Sequence, residues 1–538
     1  MTTGADIIAQ KLHGAGCRHA FGIPGGEVLA LMQALDEAGL KFVLVKHENA
    51  GGFMAEGGWH ADGAPGVLLA TLGPGAANAI NVVANAWQDR VPLIFLTGCV
   101  DQAEAESYTH QVFDHQQLLR PIVKASFSAR LGALDVMMEK ALAIALDGQP
   151  GPVHIDVPIK VAETVTSEAW SSKFRSSLAA SAPASGSDLD TALELFAKAE
   201  RPIAIAGVDA VNEGASQAIT EFCRTYKIPL VTSYKGKGLL HENDLLALGG
   251  AGLSPKADGH LLPLINQSDC ILSLGYDPIE MRINWRNPWP SDAPVIDVTP
   301  VLRTHGMHDA AATLRSAVEP ALNLLAEARD TTASSWSGGE PVAVRKDLAE
   351  AFAPEQTGWG PGTAFHVLRD VMPENTVATA DSGAHRILVS QIWRCSGPRQ
   401  MLQSSALCTM GCAVPLAMGH RLVDQTAPVI AFVGDAGLEM CLGELSTLRD
   451  LKIPVIICVL VDTSLALIEL KQRNSQRPNV GVDFGETDFP GIAAAYGGYG
   501  VWIESAEVLR QEAGAALDRD GFTLLACRIA QRSYDGAF

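Results

Sequence analysis

The segment Ala427 to Gln472 restricts this chain most: APVIAFVGDAGLEMCLGELSTLRDLKIPVIICVLVDTSLALIELKQ. An apolar run, Val429 to Val433, stops at Gly434-Asp435-Ala436-Gly437. A helical pattern follows through Glu444 and Leu448, and a second apolar run, Val455 to Val461, ends on Asp462. That order is strand, tight turn, helix, parallel strand. Both aspartates then fall at the carboxyl ends of neighbouring parallel strands, where open α/β sheets place their ligands. Two carboxylates beside a small turn and a helix start suit a hard divalent cation carrying a phosphorylated ligand, because the cation takes oxygens and exposed N–H groups take phosphate. Strand-end carboxylates that merely cap helices are the competing reading, favoured for either aspartate taken alone.

Composition narrows the class. At about 150 residues per domain, 538 residues suggest three or four domains. Hydrophobic content of 47% with 51 glycines and 29 prolines fits a compact α/β enzyme with many tight turns. A formal net charge of -20 argues against nucleic acid and anionic membranes as partners, though a local anion site remains compatible with it. Ten cysteines occur without CxxC pairs, and Cys412, Cys441 and Cys458 sit inside apolar runs. They read as buried reduced thiols of a cytoplasmic protein rather than disulfides or zinc ligands. The start, MTTGADIIAQKLHGAG, is an amphipathic helix pattern with no basic segment leading into an apolar block, so no signal peptide is expected. The apolar stretch Ile453 to Ile468 is interrupted by Asp462-Thr463-Ser464 and reads as strand and turn rather than a membrane span.

Taken in order, the chain alternates helical patterns with short apolar runs from Ala5 to about Lys160, which means βαβ units and a parallel sheet. Val165 to Ser187 is a polar linker. A second α/β unit starts at Pro202-Ile203-Ala204-Ile205-Ala206-Gly207 and ends near Ala328. Arg329 to Pro341 is a second linker, and a third unit runs from about Val344 to the end. The first unit carries its own glycine-rich turns at strand ends: Phe21-Gly22-Ile23-Pro24-Gly25-Gly26-Glu27 and Thr71-Leu72-Gly73-Pro74-Gly75-Ala76-Ala77-Asn78. Between them Val43-Leu44-Val45-Lys46-His47-Glu48-Asn49 delivers a carboxylate ahead of a small-residue helix, Ala50 to Gly58. Each alone is weak, and Glu48 by itself equally suits a charge on a helix N-terminus. Three such turns on one sheet make a rim where a cofactor sits.

The set FGIPGGEVL, KHENAGGFMAEG, LGPGAANAI, CTMGCAVPLAMG (Cys408 to Gly419), GDAG and Asp462 resembles the thiamine diphosphate enzymes of the acetolactate synthase and pyruvate decarboxylase superfamily, with the acetolactate synthase branch nearest. The motifs stand in the family's order and spacing over essentially the whole chain. The resemblance implies an α/β protein of three doubly wound parallel-sheet domains: a pyrimidine-binding domain over 1–165, a central domain over 188–328 and a diphosphate-binding domain over 344–538. It also implies a homodimer or dimer of dimers with active sites between subunits.

Carried over by position, Glu48 matches the catalytic glutamate that shares a proton with the pyrimidine ring, a task that requires a site away from water. Asp435 and Asp462 match metal ligands, with the backbone carbonyl of Ser464 as a third and magnesium as the natural ion. Met410 corresponds to the side chain that props the cofactor into a bent shape, which is catalysis by positioning; a packed core methionine reads the same way in sequence. Ser382, Gly383 and His385 would face the phosphates, while Ala384 replaces a side chain that usually helps. Ala436, Gly437, Cys408 and Leu465 fall within the matched cofactor stretches. Gly25, Pro74 and Asn78 would line the pyrimidine side, and Gln111 aligns with a glutamine facing the reacting centre. His110 and His115, on the same loop, admit a surface or structural role and a catalytic one.

Departures shape the expectation. Ala436 stands for a usual glycine and Val461-Asp462 for a usual asparagine pair. Ile468 stands near where a pyruvate-decarboxylase-like glutamate would fall. Leu274 to Arg282 lacks the arginine-bearing strand end of flavin-holding acetolactate synthases, which leaves FAD doubtful. Trp285 and Trp289 suit either a cover over a substrate entrance or packing. The expectation is a thiamine diphosphate- and magnesium-dependent enzyme acting on a 2-oxo acid with decarboxylation and carboligation. The alternatives are a nonoxidative 2-oxo acid decarboxylase, a carbon–carbon lyase or acetyltransferase of the same family, and a non-catalytic cofactor-binding subunit. A nicotinamide dehydrogenase is disfavoured by the missing GxGxxG fingerprint.

Overall fold

The computed structural model describes residues 2–538 apart from 102, 175–179, 282, 304, 331–334 and 357. Parts of both linkers and Arg282 of the flavin stretch therefore lie outside the described residues. Three six-stranded sheets organise the rest. The first contains β1 (His19–Ile23), β2 (Lys41–Leu44), β3 (Gly66–Ala70), β4 (Leu93–Cys99), β5 (Ala125–Ser128) and β6 (Val153–Pro158), ordered β2-β1-β3-β4-β6-β5. The second contains β7 (Pro202–Ala206), β8 (Leu230–Thr232), β9 (Ala247–Gly250), β10 (Cys270–Leu274), β11 (Val295–Thr299) and β12 (Ala312–Arg315), ordered β12-β11-β10-β7-β8-β9. The third contains β13 (Val377–Ala380), β14 (Met401–Gln403), β15 (Val429–Gly434), β16 (Ile456–Val461), β17 (Tyr499–Ile503) and β18 (Thr523–Arg528), ordered β14-β13-β15-β16-β18-β17.

Neighbouring strands are parallel throughout. The chain is thus α/β with three parallel sheets and helices between strands, as expected. Counted within each sheet, the first and third share one strand order, so their strand-end turns occupy equivalent positions. Those turns are where the two sets of motifs lie.

Strand periodicity explains how the sheets stack. Alternate residues point to opposite faces, and in the first sheet Leu68 and Phe95 face one core while Val67, Leu69, Ile94 and Leu96 face another. The core holding Leu68 and Phe95 also takes Ala431, Val433, Ile457 and Val459 of the third sheet. The third sheet's other face, with Ile430, Phe432, Cys458 and Leu460, shares a core with Ile203, Ile205 and Ile271 of the second. Trp285 and Trp289 are buried in that core, so both tryptophans pack rather than cover an entrance.

The first and third sheets meet through the helices Glu48–Asp62 and Ala413–Val423. Their backbones approach so closely that only glycine fits: a Cβ on Gly57 would lie 2.2 Å from the Leu416 carbonyl oxygen, and one on Gly419 1.9 Å from that of Met54. Gly419→Ala must push the helices apart. An overpacking cost of about 1–3 kcal/mol is expected, read as a lowered thermal midpoint. A midpoint equal to that of the parent protein would contradict the close approach.

The strand before Glu48 is shorter than the sequence suggests. It ends at Leu44, and Glu48 is the first residue of the helix, with His47 as its N-cap accepting the Asn49 N–H at Nδ1. A polar side chain that satisfies a free helix N–H stops the strand. The chain's ten cysteines are all free, most of them buried. Among the described residues no helix is long and apolar enough to cross a membrane.

Candidate active site

Two groups of side chains gather at strand ends, one on the third sheet and one on the first. On the third, β15 ends at Gly434 and β16 at Val461, which puts Asp435 and Asp462 side by side. Asp435 Oδ2 accepts the N–H groups of Asp462 (3.1 Å) and Thr463 (2.7 Å), and Oδ1 accepts that of Ala436 (2.9 Å). Asp462 Oδ1 accepts the Ser464 N–H at 3.3 Å. Thr463 turns in the left-handed region, φ 57°, so Asp435 also anchors a strained turn. Burial, and then the neighbouring Asp435, push the Asp462 carboxyl up to about 7; Asp435 is raised as well, mainly by burial. Two carboxylates in one desolvated site call for a cation.

The sign of the resulting pH dependence is fixed. An unfolded Asp462 releases its proton near 3.8 whereas the folded one keeps it to about 7. Its contribution to stability is therefore full below about pH 4 and lost as the pH rises through 7. In cation-free buffer the thermal midpoint is expected to fall over that window, and a divalent cation to abolish the fall. A midpoint indifferent to both would contradict the pairing.

The pocket beside these aspartates is lined by Ser382, Gly383, Ala384, His385, Met410, Ala436, Gly437, Ser464 and Leu465, together with Ala466, Leu467, Ile468 and Tyr534. His385 is buried with Nε2 unpartnered. Burial, then the adjacent Arg386, depress its imidazole to about 3. A neutral, orphaned ring nitrogen in a pocket with two carboxylates fits a ligand that brings both a cation and hydrogen-bonding oxygens. Gly437 must stay small, since a Cβ there would lie 2.2 Å from Asp381 Oδ2. Fully buried Asp381 takes the N–H groups of Gly411 (2.7 Å), Cys412 (2.7 Å) and Ala413 (3.1 Å). It thereby caps the helix Ala413–Val423 and fixes the turn carrying Met410. Met410 also lines the adjoining cleft with Lys46, His47 and Met440. Cys408 lies in that cleft, outside the pocket with the aspartates, exposed, with φ 56°.

Sequence reasoning missed Asp381's capping role and Tyr534. Tyr534 is buried, and the nearby Asp462 and Asp435 add to the burial that raises its hydroxyl's pKa. Nothing local marks Tyr534, because only the return of the chain end brings it to the pocket. An aspartate directly after the short run Val377 to Ala380, three residues before a helix pattern, was the available signal for Asp381.

On the first sheet Glu48 is 4% exposed. Asn78 Nδ2 donates to Glu48 Oε2 at 3.0 Å, while Oε1 lies 3.3 Å from where a Gly75 side chain would begin. Gly25 packs on Thr71, so closely that a Cβ would meet its Oγ1 at 2.2 Å. Gln111 is exposed with φ 60°, and its backbone lies over Gly73. Pro74 and Asn78 are exposed beside Glu48. The structure thus brings Gly25, Glu48, Pro74, Asn78 and Gln111 to one rim. None of them lines the pocket that holds Asp435 and Asp462.

His115 is buried, at 5% exposure. Its Nδ1 is 2.9 Å from Asp156 Oδ1, and its Nε2 accepts the Gly73 N–H at 3.1 Å. His110 is exposed on the loop.

Three family models match the chain: "Thiamine pyrophosphate enzyme, N-terminal TPP binding domain" over residues 2–118, its central domain over 189–329, and its C-terminal TPP binding domain over 381–527. The chain is 28% identical to the acetolactate synthase of Bacillus subtilis (strain 168), covering 94% of this chain and 90% of that protein. It is 27% identical to the catabolic acetolactate synthase of Raoultella terrigena, over 98% and 95%. With a probable acetolactate synthase large subunit of Methanocaldococcus jannaschii it shares 29% identity, over 92% and 86%.

Proposed function

This chain belongs to the thiamine pyrophosphate enzymes, and on that premise we propose an acetolactate synthase-like carboligase that takes a 2-oxo acid as donor, with magnesium as its ion. The observation that carries the proposal is the pairing of a buried Glu48, held by Asn78, with a separate pocket walled by Asp435 and Asp462. The domains are assigned as pyrimidine-binding over 1–165, central over 188–328 and diphosphate-binding over 344–538.

Bound there, thiamine diphosphate supplies a nucleophilic carbon and an electron sink, chemistry that belongs to the cofactor. This chain's residues do the rest. Asp435, Asp462 and the Ser464 carbonyl hold the cation. Ser382, Gly383 and His385 take phosphate oxygens, with the small Ala436 and Gly437 and the larger Leu465 shaping the wall. Met410, on the turn fixed by Asp381, would orient the cofactor by packing against it. Glu48 holds and returns a proton at Oε1, because Asn78 already occupies Oε2. Gln111 faces the reacting centre from the loop over Gly73, with Gly25, Pro74 and Asn78 along the pyrimidine side.

The two groups line different places in one chain, which supports completion of each site by a second copy, as a homodimer or dimer of dimers. Exposed apolar side chains at the first sheet's rim, Leu29, Leu44, Tyr108 and Phe113, offer that copy a surface to cover. Ile468, rather than a glutamate, lines the pocket, which favours carboligation over simple decarboxylation. Flavin is left out of the proposal. The strand order of the central sheet reverses between β7 and β10, where an open α/β sheet would take a dinucleotide. There Gly207 and Gly275 let the backbones approach closely: a Cβ on Gly207 would lie 2.9 Å from Tyr276 Cα, and one on Gly275 2.4 Å from the Ala210 nitrogen.

The deciding experiment supplies purified protein with thiamine diphosphate, magnesium and a panel of 2-oxo acids, pyruvate first, and follows carbon dioxide and products. Acetolactate is the expected product. Carbon dioxide with free aldehyde would replace the reading by a decarboxylase. No turnover from any acid with cofactor bound would refute the 2-oxo acid donor and leave the cofactor assignment standing.

A further inference from the structure

We propose that His115, oriented by Asp156, is a positioning residue for Glu48: through the Gly73 N–H it sets the turn that carries Asn78, the side chain that holds Glu48 Oε2. The inference rests on the role given above to Glu48 and adds to it a buried chain of hydrogen bonds reaching across β4 and β6.

The chain can be followed atom by atom. Thr97 Oγ1, on β4, donates to Asp156 Oδ1 at 2.7 Å, and Gln116 Nε2 donates to Oδ2 at 3.2 Å. His115 Nδ1 meets the same Oδ1 at 2.9 Å, and its Nε2 lies 3.1 Å from the Gly73 nitrogen. A backbone N–H only donates, so Nε2 must offer its lone pair and the ring's proton must sit on Nδ1, facing Asp156. One tautomer of a neutral imidazole satisfies both contacts. The Gly73 carbonyl then accepts the Ala77 N–H at 2.9 Å and opens the turn Pro74–Asn78. Asn78, the last residue of that turn, donates to Glu48 at 3.0 Å.

Gly73 itself has φ 66° and ψ -105°, and a Cβ there would lie 2.4 Å from the Gln111 carbonyl oxygen. The turn therefore relies on an unusual backbone conformation, packed under the Gln111 backbone and tied by the Gly73 N–H to His115. A position stored in strained backbone needs an external contact to define it.

His115, His154 and Asp156 also form a group with metal-ligand spacing. The Gly73 contact argues against that use. A cation on Nδ1 would leave a neutral imidazole with its proton on Nε2, pointing at the Gly73 N–H. In addition, His154 is already engaged on both nitrogens, Nε2 with Thr97 Oγ1 at 2.8 Å and Nδ1 with Ser126 Oγ at 2.6 Å.

The test separates an acceptor at Nε2 from general support of the fold. His115→Gln keeps an acceptor oxygen at the distance of Nε2. His115→Asn keeps the contact with Asp156 and loses that acceptor. Each holoenzyme, loaded with thiamine diphosphate and magnesium, is placed in deuterium oxide without substrate, and exchange of the cofactor's C2 hydrogen is followed by quenching and NMR. Cofactor affinity is measured by calorimetry alongside. His115→Asn is expected to slow exchange by about 10- to 100-fold with cofactor affinity within about threefold, whereas His115→Gln restores most of the rate. Equal rates for the two variants, fast or slow, overturn the proposal. If the Asn variant does not fold, His115→Phe, which fills the volume without an acceptor, takes its place with the same expectation. Glu48→Gln runs as a control: exchange that persists in it refutes the role of Glu48, whereas exchange lost in it but unchanged in His115→Asn refutes only the role of His115.

Discussion

Glu48→Gln is expected to bind thiamine diphosphate normally and to lose nearly all turnover. The side chain starts the helix Glu48–Asp62, is 4% exposed, and holds one defined partner, Asn78 Nδ2 on Oε2. Glutamine has the same shape and its amide oxygen still accepts from Asn78, so packing and cofactor binding are retained. Its amide nitrogen cannot take up a proton, which removes the one thing the carboxylate does at Oε1. Loss of a positioned acid–base group costs about 10²- to 10⁴-fold. The measurement is kcat beside the cofactor dissociation constant, and a variant with parental kcat would sink the assignment.

Asp435→Ala should fail in a different way, by losing the cofactor. Three N–H groups converge on this carboxylate, from Ala436, Asp462 and Thr463. Alanine removes one proposed cation ligand and at the same time releases the turn that aims Asp462 and Ser464. Loss of an outer contact to a metal ligand alone weakens binding by about 10- to 100-fold, so removal of a ligand that also plays that part should exceed it. Gel filtration of the loaded protein followed by a cofactor assay reads the outcome. Asp435→Asn, which keeps an oxygen acceptor for Thr463, is expected to lie between the two. Cofactor retained by the Ala variant at the parental level would show that the aspartates only cap their helices.

Much of this site could be read directly from the sequence because its parts are local. GDAG and Asp462 close two strands, and strand, turn and helix signals place them at the sheet's carboxyl edge without reference to anything distant. The same holds for Glu48, although the capping of its helix by His47 shortens the strand before it. Cys408 shows the limit of such reasoning. It adjoins the Met410 turn in sequence, yet a left-handed backbone turns it into the neighbouring cleft. His115 shows the reverse case, a residue open to structural and catalytic readings whose partners, Gly73 and Asp156, lie far from it in the chain.

By itself, then, the sequence determined the number and type of the sheets, the strand ends that bear chemistry, and the residue types suited to a cation, a diphosphate and a shared proton. The sheets and strand ends follow from periodicity and from turns a few residues long, whereas the diphosphate and shared-proton roles come from the resemblance that the motifs carry. Tertiary structure alone decided that the first and third sheets share a core through glycines on two crossing helices, and that Asp381 fixes the Met410 turn. It also decided that Tyr534 returns to the pocket, and that Glu48 and Asp435 serve different places on one chain. Those outcomes depend on contacts between residues hundreds of positions apart, where close packing rather than local pattern sets which atoms meet.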